Sequence, residues 1–244
     1  MSKRSSFVCA VFCISLCANL ALAQSESAPF SSFGVGIKVS FLGFGAEAAT
    51  PLARRLNLRA GFNAFSYNRG FNKDGVAYAG QLNFRSGEAH LDWFPFAGGF
   101  HVSPGALIYN GNRILANASV AGGQSFTLNG ASYTSDAADP VAGLGKVDFR
   151  KAGPMITAGW GNLLPRGRRR FSVPFEFGAI YTGAPQAALS LTGSACDSTG
   201  LNCRKIASDA TIISNVQAEQ SKLNKDMAAF KFYPVISVGF GVKF

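Results

Sequence analysis

The C-terminal segment constrains this chain more than any other. Ile236, Val238, Phe240, Val242 and Phe244 take every second position, and Ser237, Gly239, Gly241 and Lys243 fill the places between. On an extended strand that period puts the apolar side chains on one face and the small or polar ones on the other. A soluble sheet can use such a strand against a core. A barrel wall in a bilayer uses it with the apolar face turned outward to lipid. Composition favours the second option. Only 15% of the residues are charged, against about 25% in an ordinary soluble domain. There are 28 Gly and 22 Phe, and the aromatic fraction of 12% contradicts the signature of disorder. The one long, nearly uncharged apolar run is residues 5–23, so a bundle of spanning helices is excluded.

That run reads as a secretory signal peptide. Lys3 and Arg4 form a basic start, residues 7–22 are apolar, and Ala21-Leu22-Ala23 precedes Gln24 as an A-x-A cleavage site. The expected division is therefore a signal peptide over 1–23 and one barrel domain over 24–244. Cleavage removes two of the ten net positive charges and three of the five cysteines, leaving Cys196 and Cys203. Two close cysteines in an exported chain predict a disulfide, worth about 2.5 kcal/mol in a chain-entropy account of so small a ring. Without a nearby His they cannot complete a tetrahedral metal site.

Alternation recurs upstream. It predicts strands at 56–68, 78–94, 100–110, 147–161, 171–182 and 232–244, with a bulge near 85–88 where the facing pattern changes. Residues 33–50 supply one strand or two. A hairpin about Leu42-Gly43 would pair residues whose numbers sum to 85, setting Phe41 opposite Phe44 and Lys38 opposite Glu47. It also gives eight strands, the even number that barrels of this kind require. Against it stands Leu42, which dislikes the positive φ of such a turn, and a bulge in one long strand is the rival. Segments 51–55, 95–99 and 162–170 are short, as periplasmic turns are, whereas 69–77, 111–146 and 183–231 are long, as extracellular loops are. A hairpin over 114–120 and 125–134 is expected in the second long segment. In the third, Ile212, Val216, Leu223, Met227 and Phe230 predict an amphipathic helix over 208–229 that packs on the rim. Tyr67, Tyr78, Tyr109, Tyr181 and Tyr233 are expected at one rim, and Trp93, Phe100, Trp160, Phe171 and Phe244 at the other.

The terminal Phe244 behind Ile236, Val238, Phe240 and Val242 resembles the C-terminal assembly signal of bacterial outer-membrane proteins. The stretch Leu91-Asp92-Trp93-Phe94-Pro95-Phe96 through Gly99-Phe100-His101-Val102 adds to the likeness. So do Tyr109-Asn110-Gly111-Asn112 and Phe230-Lys231-Phe232-Tyr233-Pro234. The chain is similar to small proteobacterial outer-membrane barrels, OmpA- or OmpW-like in architecture. The resemblance implies an all-β antiparallel transmembrane barrel in the bacterial outer membrane, exported through the Sec pathway. It also implies contact with outer-membrane lipids and with the barrel-assembly machinery through the last strand. It brings no catalytic motif.

The chemistry-bearing residues fall on the inward parity. Lys38, Glu47, Arg59, Glu88, His90, Asp92, His101 and Glu176 all project into the lumen, with Glu88, His90 and Asp92 sharing one face of one strand. They could serve as a general acid–base site. They could equally form an ionic network filling an eight-stranded interior, which has room for side chains alone. The network is the reading adopted, because no nucleophile motif accompanies either His. No cofactor or metal is expected. Arg54-Arg55 and Arg166-Gly167-Arg168-Arg169-Arg170 fall in the short turns; export argues against nucleic acid as their partner, and anionic head groups suit them better. Gly143-Leu144-Gly145-Lys146 lacks what a phosphate loop needs. The expected role is structural or surface contact without enzymatic activity. The alternatives are a narrow conduit for small or hydrophobic solutes and, behind it, a lipid-modifying enzyme.

Overall fold

The computed structural model describes residues 28–73, 76–96 and 98–244; the segment read as a signal peptide lies outside them. Strand β1 (Gly34–Ser40) turns into β2 (Gly43–Ala53), and β3 (Leu56–Lys73) with β4 (Val76–Trp93) forms a taller hairpin. After β5 (Phe100–Asn110) the chain leaves the barrel as β6 (Arg113–Val120), β7 (Ser125–Leu128), β8 (Ala131–Ser135) and β9 (Ala142–Asp148). It re-enters with β10 (Gly153–Trp160), then β11 (Phe171–Ser172) and β12 (Phe175–Tyr181). A second excursion holds β13 (Gln186–Thr192), β14 (Ser194–Cys196), β15 (Arg204–Lys205) and helix α1 (Ala210–Met227), and β16 (Phe232–Lys243) returns. Antiparallel pairing runs β1-β2-β3-β4-β5-β10-β12-β16 and back to β1. Eight strands close the barrel.

The first hairpin forms, but in a different register from the expected one. Ser40 pairs with Gly43 and Lys38 with Gly45, so the turn is Phe41-Leu42 and Lys38 does not face Glu47. The cause is backbone chemistry. Gly43 takes φ 114°, and neither Phe41 nor Leu42 has a positive φ; the strained position falls on the residue without a Cβ. Pairing sums of 83 and 85 are both odd, so the shift changes neighbours and leaves every residue on its face. The irregularity near residue 87 is a bulge whose extra residue, Ile108, lies on β5, while β3 and β4 stay in one register throughout. Pro174, which lacks an N–H, separates β11 from β12, and its carbonyl still accepts from Gly239 N at 2.9 Å.

Gly34 pairs with Lys243, so both ends of the barrel chain lie at one end, hereafter the terminal end. At the opposite, loop end the wall is uneven. The β1–β2 turn ends one side, whereas β3 and β4 rise beyond it and β6, β9 and β13 continue the sheet from β4 outward. The expected strand 147–161 is therefore two, β9 in the raised sheet and β10 in the barrel. Residues 114–120 pair with β4 and β9 rather than with 125–134, and β7 and β8 make their own hairpin beside β14 and β15. Val76, Val120, Leu128, Val141, Ala195, Ile206 and Ile212 form a core between the two sheets and α1. The Cys196–Cys203 disulfide closes the loop beside β14.

Helix α1 solves the edge problem of β13. Asp209 caps its start by accepting from Thr211 N at 2.9 Å and Ile212 N at 3.0 Å. Ile212 and Val216 enter the core. One turn further on, Gln220 accepts from Leu189 N at 2.9 Å, and Asn224 both accepts from Ala187 N at 2.7 Å and donates to Ala187 O at 3.2 Å. The unpaired edge is thus covered by side chains. Leu223 and Phe230, placed in the same stripe by the sequence, stay exposed. At the terminal rim Trp160 meets Phe100 at 5.4 Å and Phe171 meets Phe240 at 5.8 Å. At the other rim Tyr181 meets Phe232 at 5.3 Å, whereas Tyr233 points inward and donates to Phe41 O at 2.6 Å. Asn224→Ala should weaken the helix–edge contact by about 1 kcal/mol and speed amide exchange at Ala187 roughly fivefold, as read by hydrogen–deuterium exchange.

Candidate functional site: the barrel lumen

Inward-facing side chains fill the lumen in three levels. The floor, at the terminal end, is made by the segment after β10. Leu163 and Leu164 fold back into the barrel and are buried with Ala49. Space for Leu163 comes from inward glycines: a Cβ on Gly36 would lie 2.7 Å from its Cδ1, and one on Gly241 would clash with the same atom. Phe94, also buried, packs 5.4 Å from the His101 ring. The expected short turn 162–170 is therefore a plug. Two residues of like size at 163–164, level with small inward residues on β1 and β16, are the signal that sequence reading missed.

The middle level is ionic, and it gathers Lys38, Glu47, Arg59, Glu88, His90, Asp92, His101 and Glu176, all buried. Arg59 organises it. Its Nε and Nη2 donate to Asp92 at 2.9 and 3.0 Å, its Nη1 donates to Glu47 at 3.0 Å, and Glu176 takes a further short pair. A planar fork meeting three carboxylates suits arginine and no other side chain. Lys38 bonds Glu88 and lies 3.5 Å from Glu47, reaching it diagonally across the β1–β2 ladder. His101 Nε2 sits 2.8 Å from Glu176 and Nδ1 3.2 Å from Gly99 O. Both neighbours only accept, so the doubly protonated ring satisfies both. His90 Nε2 lies 3.7 Å from Glu88. Four carboxylates face two permanent cations and two imidazoles.

Uncharged polar residues that the sequence reading did not single out complete the level. Ser103 donates to Asp92 at 2.7 Å, and Asn63 donates to Ser86 at 3.4 Å. The Ser103 proton goes to a carboxylate and not to an imidazole. A cavity of about 10 Å³ beside Arg59 has space for one water at most. The roof is apolar. Leu42 from the first turn, Leu107, Met155, Ile180 and Val235 converge from four strands and the turn, with Tyr233 against them.

The remaining singled-out residues lie elsewhere. Ile236, Val238, Phe240 and Phe244 stand exposed on the outer face of the last strand, with Val242 half-buried beside them. Asp136 approaches Cys196 and Cys203, but both sulfurs are spent in the disulfide, which removes them as metal ligands.

No protein-family model matches the sequence, and no curated protein matches it. Solved structures do. Acinetobacter baumannii CarO aligns with a TM-score of 0.56 at 22% identity, covering 91% of this chain and 100% of that one. A. baumannii CarO2 aligns with a TM-score of 0.56 at 18% identity, covering 89% and 100%. At these identities the likeness speaks to the fold alone. It covers the raised sheet region as well as the barrel, since so little of either chain is left out.

Arg59→Gln would leave three carboxylates around a neutral amide and should cost about 3–5 kcal/mol. Arg59→Lys keeps the charge but loses the fork, and should recover less than half of that loss in urea unfolding of the refolded protein. Gly241→Val should cost about 1–3 kcal/mol by overpacking, and Leu163→Ala in the same chain should restore part of it.

Proposed function

We propose that this chain is an integral barrel of the bacterial outer membrane with a sealed lumen, serving as a structural and surface-contact protein without enzymatic activity. The filled lumen carries the reading: the segment after β10 supplies the floor, and the ionic level and roof each draw side chains from several strands. The membrane placement is supported by the exposed apolar wall, with Ile37, Phe44, Phe177, Ile236 and Phe240 all facing out, and by the aromatic rings at both rims. The terminal end with its short connections is the periplasmic one. The raised sheet, the disulfide loop and α1 then face the exterior as a rigid contact platform. Sec export with cleavage after Ala23 belongs to this reading, as does engagement of the barrel-assembly machinery by the last strand and its Phe244.

Planar-bilayer recording of the refolded protein is the test. The expected trace has no discrete conductance steps, whereas Leu163→Gly combined with Arg59→Ala should introduce them if the barrel still folds. Steady conductance in the unaltered protein would overturn the sealed-lumen reading in favour of a conduit for small solutes.

A further inference from the structure

The periplasmic assignment of the terminal end makes one feature of that end chemically informative. Two pockets open there, of about 570 and 420 Å³, and Arg166 lines both. The larger also takes Arg54, Lys243 and the buried Asn57; the smaller takes Arg169 together with Phe171 and Val173. Among the described residues neither lining contains an Asp or Glu. Two of the cations are held in place. The Arg166 guanidinium stands 5.6 Å from the centre of the buried Phe94 ring and donates to Arg54 O at 3.4 Å, and Lys243 Nζ donates to Pro165 O at 3.3 Å. Burial, then the charges of Arg55 and Arg54, lower the Arg166 pKa from its ordinary value, so like charges crowd here. An arriving anion relieves that repulsion.

The apolar part of the smaller pocket narrows the class of anion. Phe171 and Val173 are 64% and 65% exposed, on the outward wall. Phe171 continues into the lipid-facing belt through Phe240. A soluble anion has no use for them; a phosphodiester with an acyl chain meets both halves of the site at once. We propose that the two pockets around Arg166 bind the head group of an anionic phospholipid of the periplasmic leaflet. The phosphate lies between Arg166 and Arg169, and an acyl chain lies along Val173 and Phe171. This rests on the membrane placement above but not on the sealed lumen, which the conductance recording tests separately.

Native mass spectrometry of the full chain in neutral detergent, with equimolar dioleoyl-phosphatidylglycerol and dioleoyl-phosphatidylcholine, decides it. Phosphatidylglycerol adducts should survive preferentially. The R166Q/R169Q double variant should weaken that retention roughly 30-fold, the combined effect of two surface cations. R113Q at the other end should leave it unchanged. If the double variant loses heat-modifiable gel mobility, R169Q alone, at an exposed position, should weaken retention roughly fivefold. Equal retention of both lipids, or equal loss in R113Q, would overturn the proposal. Displacement of phosphatidylglycerol by millimolar inorganic phosphate would reassign the pockets to a soluble ligand and overturn it as well.

Discussion

Everything in the barrel interior is arranged around a guanidinium that no single carboxylate could hold. A permanent cation taken out of water is tolerable only with opposite charge and hydrogen bonds on every side. Arg59 obtains them from β2, β4 and β12 at once, through Glu47, Asp92 and Glu176. Strands that are distant in sequence are thereby fixed at one height. Lys38 then follows from the remaining charge, since four carboxylates need more than one Arg to balance them. The apolar floor and roof bound this level, and a low local dielectric strengthens its pairings.

The sequence made the wall legible because period two survives translation into structure almost unchanged. Ile236 to Phe244, Leu58 to Phe62 and Phe171 to Tyr181 each kept their facing, and with it the inward position of all eight lumen residues. Facing depends on parity alone. Register depends on where a positive φ can be placed, and that is why Lys38 meets Gly45 rather than Glu47. Tyr233 was assigned to a rim from its type; its odd number on β16 already places it inside.

Height along the strand was much less legible than facing. The alternation ends at 110, but nothing in residues 111–120 marks the passage from barrel to raised sheet on the same edge of β4. The long segments looked like loops because their strands are rich in Ala, Gly and Ser, and a solvated sheet covered by one helix needs few large apolar residues. Leu163 was hidden for another reason. Turns are read as exposed, and a turn that re-enters the lumen is visible only beside the glycines that receive it.

The uneven wall has a bearing on where the raised sheet can change. Its strands are the barrel's own β3 and β4 prolonged, with β6, β9 and β13 laid against them. Inserting one residue midway along β4 would therefore turn every side chain beyond it to the opposite face. Length changes are thus channelled to the tip at residues 197–202, which lies outside every strand. The crest can change on a foundation that must stay the same.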